Sequence, residues 1–144
     1  MRSLAKLQPY ALFLIRLIVG FSMLYHSWDK VIPADGLRHA FYHHQLLAPE
    51  QHFNAFVASL GMPPWTGYLS TATEFVGGIF LILGLLTRFC AFLVTINMLV
   101  ALILVNRHHG YPGSEYSLAL IAMAFLLFTA GSGALALDRR FGIT

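Results

Sequence analysis

Long apolar stretches separated by short polar ones dominate the chain. Four of them are long enough to cross the roughly 30 Å hydrocarbon core of a bilayer as α-helices. They lie at about 9–28, 66–87, 89–106 and 115–137. Only the first connection is long, so consecutive spans are expected to run antiparallel. The pattern therefore predicts an all-α integral membrane protein, folded as an antiparallel four-helix bundle.

The connection at residues 29–65 is too polar to be a span, because it contains five charged residues and four histidines. Its pattern predicts two short helices outside the bilayer, at about 36–46 and 50–60. In the second, four apolar residues recur at helical spacing, namely Phe53, Phe56, Val57 and Leu60. This spacing is typical of an amphipathic helix that lies flat at the interface or caps the bundle.

Composition agrees with a membrane protein. Of the 144 residues, 58% are hydrophobic and 10% are charged, whereas soluble domains carry about 25% charged residues. The length fits a single domain over residues 1–144. The net charge of +3 comes without a basic cluster, so nucleic acid is not an expected partner. Cys90 is the only cysteine, which excludes an intrachain disulfide relay.

The basic residues are divided unequally between the two sets of helix ends. Five fall at one end (Arg2, Lys6, Arg88, Arg139 and Arg140) and three at the other (Lys30, Arg38 and Arg107). Cytoplasmic loops of membrane proteins are enriched in Lys and Arg. We therefore expect both termini in the cytoplasm and the segment 29–65 on the outer side.

Two charged residues lie at membrane depth, Arg16 in the first span and Glu74 in the second. Charges at this depth usually face the bundle interior. At 1.5 Å per residue, Arg16 lies about 10 Å and Glu74 about 21 Å from the inner edge, a gap that their side chains could bridge. One interpretation is a buried ion pair that fixes helix register. The other is a polar cavity open to the outside, in which Glu74 handles a proton or a ligand.

Several polar residues fall near the outer ends of the spans. His26 and Lys30 are four residues apart and share a helix face. Together with Arg16, Glu74, Asn106 and Glu115 they form our candidate ligand pocket. An apolar groove with hydrogen-bond donors and a proton route would suit a quinone headgroup. The alternative is interfacial capping, in which Lys30 extends to the headgroups and Glu115 serves the first turn of the fourth helix.

Small residues on the first two spans predict close helix contacts. Gly20 shares a face with Arg16, and Gly77, Gly78 and Gly84 share a face with Glu74. Glycines on such a stripe allow another membrane helix to approach closely. In the third span, Thr95 and Asn97 are expected to make hydrogen bonds between helices.

Metal and haem are not expected. His39 and His43 have the spacing for one metal ion, but no third ligand is fixed and surface histidines are the preferred interpretation. Most histidines lie in connections rather than in spans, which disfavours haem ligation.

Several short motifs occur in order along the chain: Arg16-Leu-Ile-Val-Gly20, His26 with Lys30, Leu60-Gly61-Met62-Pro63, Glu74 with Gly77-Gly78, Gly84-Leu-Leu-Thr-Arg88, and Gly131-x-Gly133 with Asp138. In this order they resemble the DoxX-type membrane proteins over nearly the whole chain. The resemblance implies a four-helix protein of the bacterial or archaeal inner membrane. The family takes its name from a subunit associated with thiosulfate:quinone oxidoreduction, and other members accompany redox or detoxification systems.

Three functions are compatible with these features. The first is a small inner-membrane subunit of, or partner to, a quinone-linked oxidoreductase. Electrons would come from the partner, because the chain has no cofactor motif of its own. The second is a non-enzymatic anchor or assembly factor for a redox or detoxification enzyme. The third is a carrier of small solutes or protons, which would require a homo-oligomer because four helices are few for a pore.

Overall fold

The computed structural model describes residues 5–32, 36, 50–106 and 110–142. Six helices occur in these residues: α1 (Gln8–Val31), α2 (Glu50–Ser59), α3 (Trp65–Leu83), α4 (Thr87–Leu104), α5 (Gly110–Ala130) and α6 (Leu137–Phe141). Four of them, α1, α3, α4 and α5, are long and apolar enough to cross a membrane. The predicted all-α bundle with four spans is confirmed, and the chain is a multi-pass membrane protein.

The four long helices form a closed ring of neighbours. The most extensive contacts join α1 to α3 and α4 to α5, and contacts of α3 with α4 and of α1 with α5 connect the two pairs. Gly20 lies against Gly78, and Lys30 further along α1 bonds to Glu74 further back on α3. These two contacts show that α1 and α3 are antiparallel.

A narrow apolar core runs along the centre of the bundle, and bulky apolar side chains cover its outside. The core includes Val19, Met23, Leu81, Val94 and Leu127. Within an apolar 18-residue stretch of each span, only 28–39% of the residues are buried within the protein. Exposed phenylalanine, leucine and isoleucine side chains over all four spans would be unusual in a soluble protein. They form the surface that the bilayer covers.

The turn between α3 and α4 is very short. Gly84 ends α3 in the left-handed region, with φ of 68°. Its N–H group donates to Leu81 O, and that of Leu85 donates to Phe80 O. This is a C-terminal cap that glycine adopts without steric cost. Leu86 also has positive φ, at 48°, and α4 begins at Thr87.

The fourth span differs from its predicted bounds of 115–137, because α5 runs from Gly110 to Ala130. Pro112 is accommodated in its first turn, where no intrahelical N–H is required. The helix ends where Gly131 and Gly133 adopt φ of 90° and 71°, conformations that a helix cannot continue. The apolar residues that follow residue 130 therefore lie in a non-helical segment and in α6.

The segment after α5 folds back across one end of the bundle. Ala134 N–H donates to Pro9 O at 2.8 Å, and Asp138 N–H donates to Gly84 O at 2.9 Å. The Asp138 carboxylate accepts N–H bonds from Leu86 at 2.6 Å and Thr87 at 2.9 Å. Asp138 thus caps α4 from a distant part of the chain and connects three helix ends.

Helix α2 confirms the prediction of a helix at about 50–60, whereas the predicted helix at 36–46 lies outside the described residues. Its buried face differs from the apolar stripe expected from sequence. Glu50, Asn54 and Val57 are buried, while Phe56 is 45% exposed. The polar face turns inward because Thr71 on α3 bonds Glu50 and Gly67 leaves room for Asn54.

Candidate functional site

A cavity of about 480 Å³ opens at the end of the bundle that carries α2, between α2 and the spans. We call it the outer cavity, after the side on which the sequence predicts this end to lie. One part of its wall is polar: His26, Lys30, Ser70, Glu74, Asn97 and Asn106. The larger part is apolar and includes Phe53, Phe56, Leu69, Ile96 and Leu104. The size and the mixed lining are typical of a site for a small organic molecule.

A buried ion pair forms the polar centre of this wall. Lys30 Nζ donates to Glu74 Oε2 at 2.6 Å, and the side chains are 20% and 6% exposed respectively. Glu74 Oε1 accepts from Asn97 Nδ2 at 3.0 Å and from Ser70 Oγ at 3.4 Å. Three spans therefore meet at one carboxylate, since Lys30 belongs to α1, Glu74 and Ser70 to α3, and Asn97 to α4.

Lys30 also contacts α2. Its ammonium group lies 4.0 Å from the centroid of the Phe53 ring, a cation–π geometry that stabilises a partly desolvated cation. The cation is thus held between a carboxylate of α3 and an aromatic ring of α2. This arrangement fixes the position of Lys30 in the cavity wall.

A second carboxylate, that of Glu50, lies behind the same wall. It is fully buried, and its Oε1 accepts from Thr71 Oγ1 at 2.9 Å, whereas its Oε2 has no partner. Burial raises the pKa of Glu50; the Thr71 hydrogen bond and Lys30 oppose this rise, and the negative charge of Glu74 adds to it. Glu50 is therefore biased toward its protonated form.

Further polar groups surround the mouth of the cavity. Asn106 Nδ2 donates to Ser117 Oγ at 2.6 Å, which joins α5 to the end of α4. The ring of His26 lies 5.1 Å from that of Tyr116. Since His26, Tyr116, Asn106 and Ser117 all line the cavity, its mouth offers both donors and acceptors.

Four of the predicted pocket residues share this cavity, namely His26, Lys30, Glu74 and Asn106. Glu115 is exposed and is not part of the lining. Arg16 does not line the cavity either. The ion pair between Arg16 and Glu74, one of the two interpretations of these charges, is not formed, and Glu74 pairs with Lys30 instead.

Arg16 lies at the opposite end of the bundle and has different partners. Its guanidinium is fully buried and donates to Ser132 O at 2.7 Å and to Leu135 O at 3.2 Å. Asp138 attracts it electrostatically. Arg16 thus holds the segment that follows α5, whose non-helical carbonyl groups need donors within the protein.

The predicted packing glycines have different surroundings. A methyl group at Gly20 would lie 2.9 Å from Gly78 O, and one at Gly78 would lie 2.9 Å from Gly20 O, so α1 and α3 are in close contact there. Gly77 is different, because an added methyl group would meet nothing within 4 Å. Gly84 serves the turn and leaves room for the Arg16 side chain and the Ala136 backbone.

The sequence predicts some of the polar contacts at this site but not all of them. Asn97 makes the expected interhelical bond, and its partner is Glu74, whereas Thr95 bonds to Ala91 O within its own helix. Glu50 is one of the charged residues of the polar connection 29–65, and the sequence predicts no partner for it. A signal for its burial exists, since Glu50, Asn54 and Val57 recur at helical spacing.

Candidate metal ligands remain without structural support. His39 and His43 lie outside the described residues. Within the ranges that the structure does cover, no three His, Cys, Asp or Glu residues are grouped closely enough to hold a metal ion.

Comparison with known proteins finds two relatives and one family model. The chain is 32% identical over 84 residues to a Bacillus subtilis protein described as "Putative oxidoreductase CatD", a match that covers 58% of this chain and 63% of that protein. It is 29% identical over 149 residues to a Haemophilus influenzae protein described as "Uncharacterized protein", with 98% of each chain covered. No solved structure matches. The family model described as DoxX matches residues 11–107, which is more than half of the chain. The chain belongs to the DoxX family.

Proposed function

We propose that this protein is a small membrane partner of an oxidoreductase and that its outer cavity holds a quinone headgroup. The observation that carries the proposal is the buried Lys30–Glu74 pair in the wall of a largely apolar cavity. Ionisable groups at membrane depth are rare and mark ligand or proton pathways.

The chemistry of the cavity suits this ligand class. A quinone carbonyl accepts hydrogen bonds, and the Lys30 ammonium and the His26 ring can each supply a donor. The Phe56, Leu69 and Ile96 side chains line the same cavity and are all exposed on the outside of the protein. An apolar tail can therefore leave the cavity toward the lipid.

The partner role follows from the absence of a recognisable cofactor motif in the sequence. No dinucleotide or phosphate-binding fingerprint occurs in the chain. Electrons would therefore be exchanged with another subunit. The name of the Bacillus relative supports a link to oxidoreductases.

Location and orientation are part of the proposal. We place the protein in the inner membrane with both termini in the cytoplasm, from the excess of Lys and Arg at that set of helix ends. The cavity then opens on the periplasmic or outer side.

The test is a titration of the purified protein in detergent with a short-chain ubiquinone or menaquinone analogue, followed by tryptophan quenching. Glu74→Gln should weaken binding by roughly tenfold, because Lys30 loses its charged partner and its position. Glu115→Gln is the matched control, since Glu115 is an exposed acid near the same end. Binding no stronger than to empty micelles, or equal binding by Glu74→Gln and the wild type, would exclude the proposal.

A further inference from the structure

A second cavity, of about 590 Å³, lies at the other end of the bundle. Its wall contains the start of α1, the turn between α3 and α4, and the segment after α5, with Pro9, Leu86, Arg88, Gly131, Ser132 and Arg139 among its residues. The spans begin or end at this level. The cavity therefore lies where lipid headgroups meet the hydrocarbon of the bilayer.

Two arginines give this cavity unused donors. Arg88 donates a hydrogen bond from Nη1 to Phe128 O at 3.2 Å. Its Nη2 faces Gly131 of the cavity wall, where an added methyl group would lie 3.5 Å away. Within the described part of the chain, no carboxylate lies within 4 Å of Arg88 or Arg139. A guanidinium has five N–H donors, so most of those on Arg88 remain available to an anion.

The single acid in the wall does not cancel this charge. Both oxygens of Asp138 already accept backbone N–H bonds, from Leu86 and Thr87. The buried Arg16 lies near enough to Asp138 for an electrostatic attraction. The cavity as a whole is therefore cationic, with Arg88 and Arg139 on its open side, where both are exposed.

The same cavity continues into an apolar surface that faces lipid. Leu86 and Phe89 belong to its wall and are 38% and 59% exposed. Leu12 forms an apolar floor. A ligand with a negatively charged head and an apolar tail matches both parts, whereas a free anion would use only the arginines.

We propose that this cavity binds the phosphate group of an anionic phospholipid. Arg88 and Arg139 contact the phosphate, and one acyl chain runs along Leu86 and Phe89 into the bilayer. Guanidinium groups recognise phosphate by paired hydrogen bonds, which fixes the headgroup geometrically as well as by charge. The lipid would occupy a position next to the Asp138 cap. This site lies apart from the outer cavity and does not depend on quinone binding.

Native mass spectrometry of the full chain in a non-ionic detergent tests the proposal. The protein is titrated with phosphatidylglycerol, with phosphatidylcholine of the same acyl chains, and with inorganic phosphate. We expect a phosphatidylglycerol adduct that the double variant Arg88→Gln/Arg139→Gln weakens by roughly tenfold, since each arginine supplies charge-assisted hydrogen bonds. Arg140→Gln should bind like the wild type, because Arg140 is exposed but does not line the cavity.

The variant Arg88→Lys/Arg139→Lys shows whether the lipid needs only the positive charges or also the paired donors of arginine. It also provides a second test if the double glutamine variant does not fold. It should bind with intermediate affinity, since lysine keeps the charge but lacks the paired donors. Equal binding of phosphatidylcholine and phosphatidylglycerol, or wild-type affinity in the double glutamine variant, would overturn the proposal. Inorganic phosphate that binds as tightly as the lipid would also overturn it, because the apolar surface would then contribute nothing.

Discussion

Besides Asp138, which caps α4, three charged side chains are buried in the described residues, and each is stabilised in a different way. Glu74 has a cationic partner in Lys30 and further donors on two helices. Arg16 uses backbone carbonyl groups instead of a carboxylate. Glu50 has a hydroxyl partner, Thr71, for one oxygen and none for the other. These differences lead to different expectations for substitution.

Removal of Lys30 alone should destabilise the protein more than removal of the whole pair. Lys30→Met leaves the Glu74 carboxylate buried without a counter-ion, which costs about 3 kcal/mol or more. In the double variant Lys30→Met/Glu74→Gln no charge remains, so much of the loss should be regained. Thermal unfolding in one detergent compares the variants. A double variant no more stable than Lys30→Met would show that charge burial is not the cause.

Glu50 should make stability fall as the pH rises. Because its pKa is raised in the folded state, its stabilising contribution is fully present below the ordinary value of 4.5 and is lost as the pH rises through the folded-state pKa. Glu50→Gln, which stays neutral, should flatten this dependence and be more stable than the wild type on the alkaline side. Thermal unfolding midpoints of the wild type and of Glu50→Gln, measured from below pH 4.5 into the alkaline range, test this prediction.

The control for this prediction is Glu115→Gln, which changes an exposed acid and should keep the wild-type pH profile. A Glu50→Gln profile parallel to that of the wild type at every pH would contradict this prediction, because it would mean that Glu50 has the same pKa in the folded and unfolded states.

At the scale of helices, periodicity and length predicted which elements exist. The spans and α2 follow from apolar stretches whose lengths and spacings are characteristic. The end of α5 could not be read in this way, because residues beyond Ala130 are still apolar and only the backbone conformation of Gly131 and Gly133 ends the helix. Glu50 and Asn54 turn inward because of Thr71 and Gly67 on α3, so the sequence of α2 alone does not determine this orientation.

The contact between α1 and α3 gives a matched pair of glycine substitutions. Gly78→Ala should destabilise the protein by about 1–3 kcal/mol, because the new methyl group would lie 2.9 Å from the backbone oxygen of Gly20. Gly77→Ala adds the same group one residue away, where it meets nothing within 4 Å, and alanine favours the helix by up to about 1 kcal/mol. Thermal unfolding of both variants should rank Gly77→Ala above Gly78→Ala. The reverse order would contradict the packing described here.

For the molecule as a whole, the sequence indicates how deep a residue lies in the membrane better than it indicates the neighbours of that residue. The helical rise per residue predicts the depth of each residue in the bilayer. By this measure, similar depths are predicted for four residues: His26, Lys30, Glu74 and Asn106. It could not identify the partners of Arg16, because those carbonyl groups belong to a non-helical segment far along the chain. Depth is encoded locally, whereas the neighbour at that depth is set by how the helices pack.

The proposed orientation predicts which residues a membrane-impermeant maleimide reaches in intact cells. In a Cys90→Ser background, Ser59→Cys should be labelled directly, because Ser59 is exposed at the end of α2 on the outer side. Lys6→Cys, near the start of α1, should be labelled only after the cells are opened. The opposite pattern would reverse the orientation and place the outer cavity on the cytoplasmic side.

Photo-crosslinking with an azidoquinone shows whether a quinone headgroup lies beside Lys30 and Glu74. After irradiation of the protein in membranes and digestion, we expect adducts on peptides that line the outer cavity, especially those with Phe53, Asn97 or Tyr116. An excess of unlabelled quinone should suppress them, and Glu74→Gln should reduce them. Adducts spread evenly over the lipid-facing surface, unaffected by competitor or by Glu74→Gln, would contradict the claim.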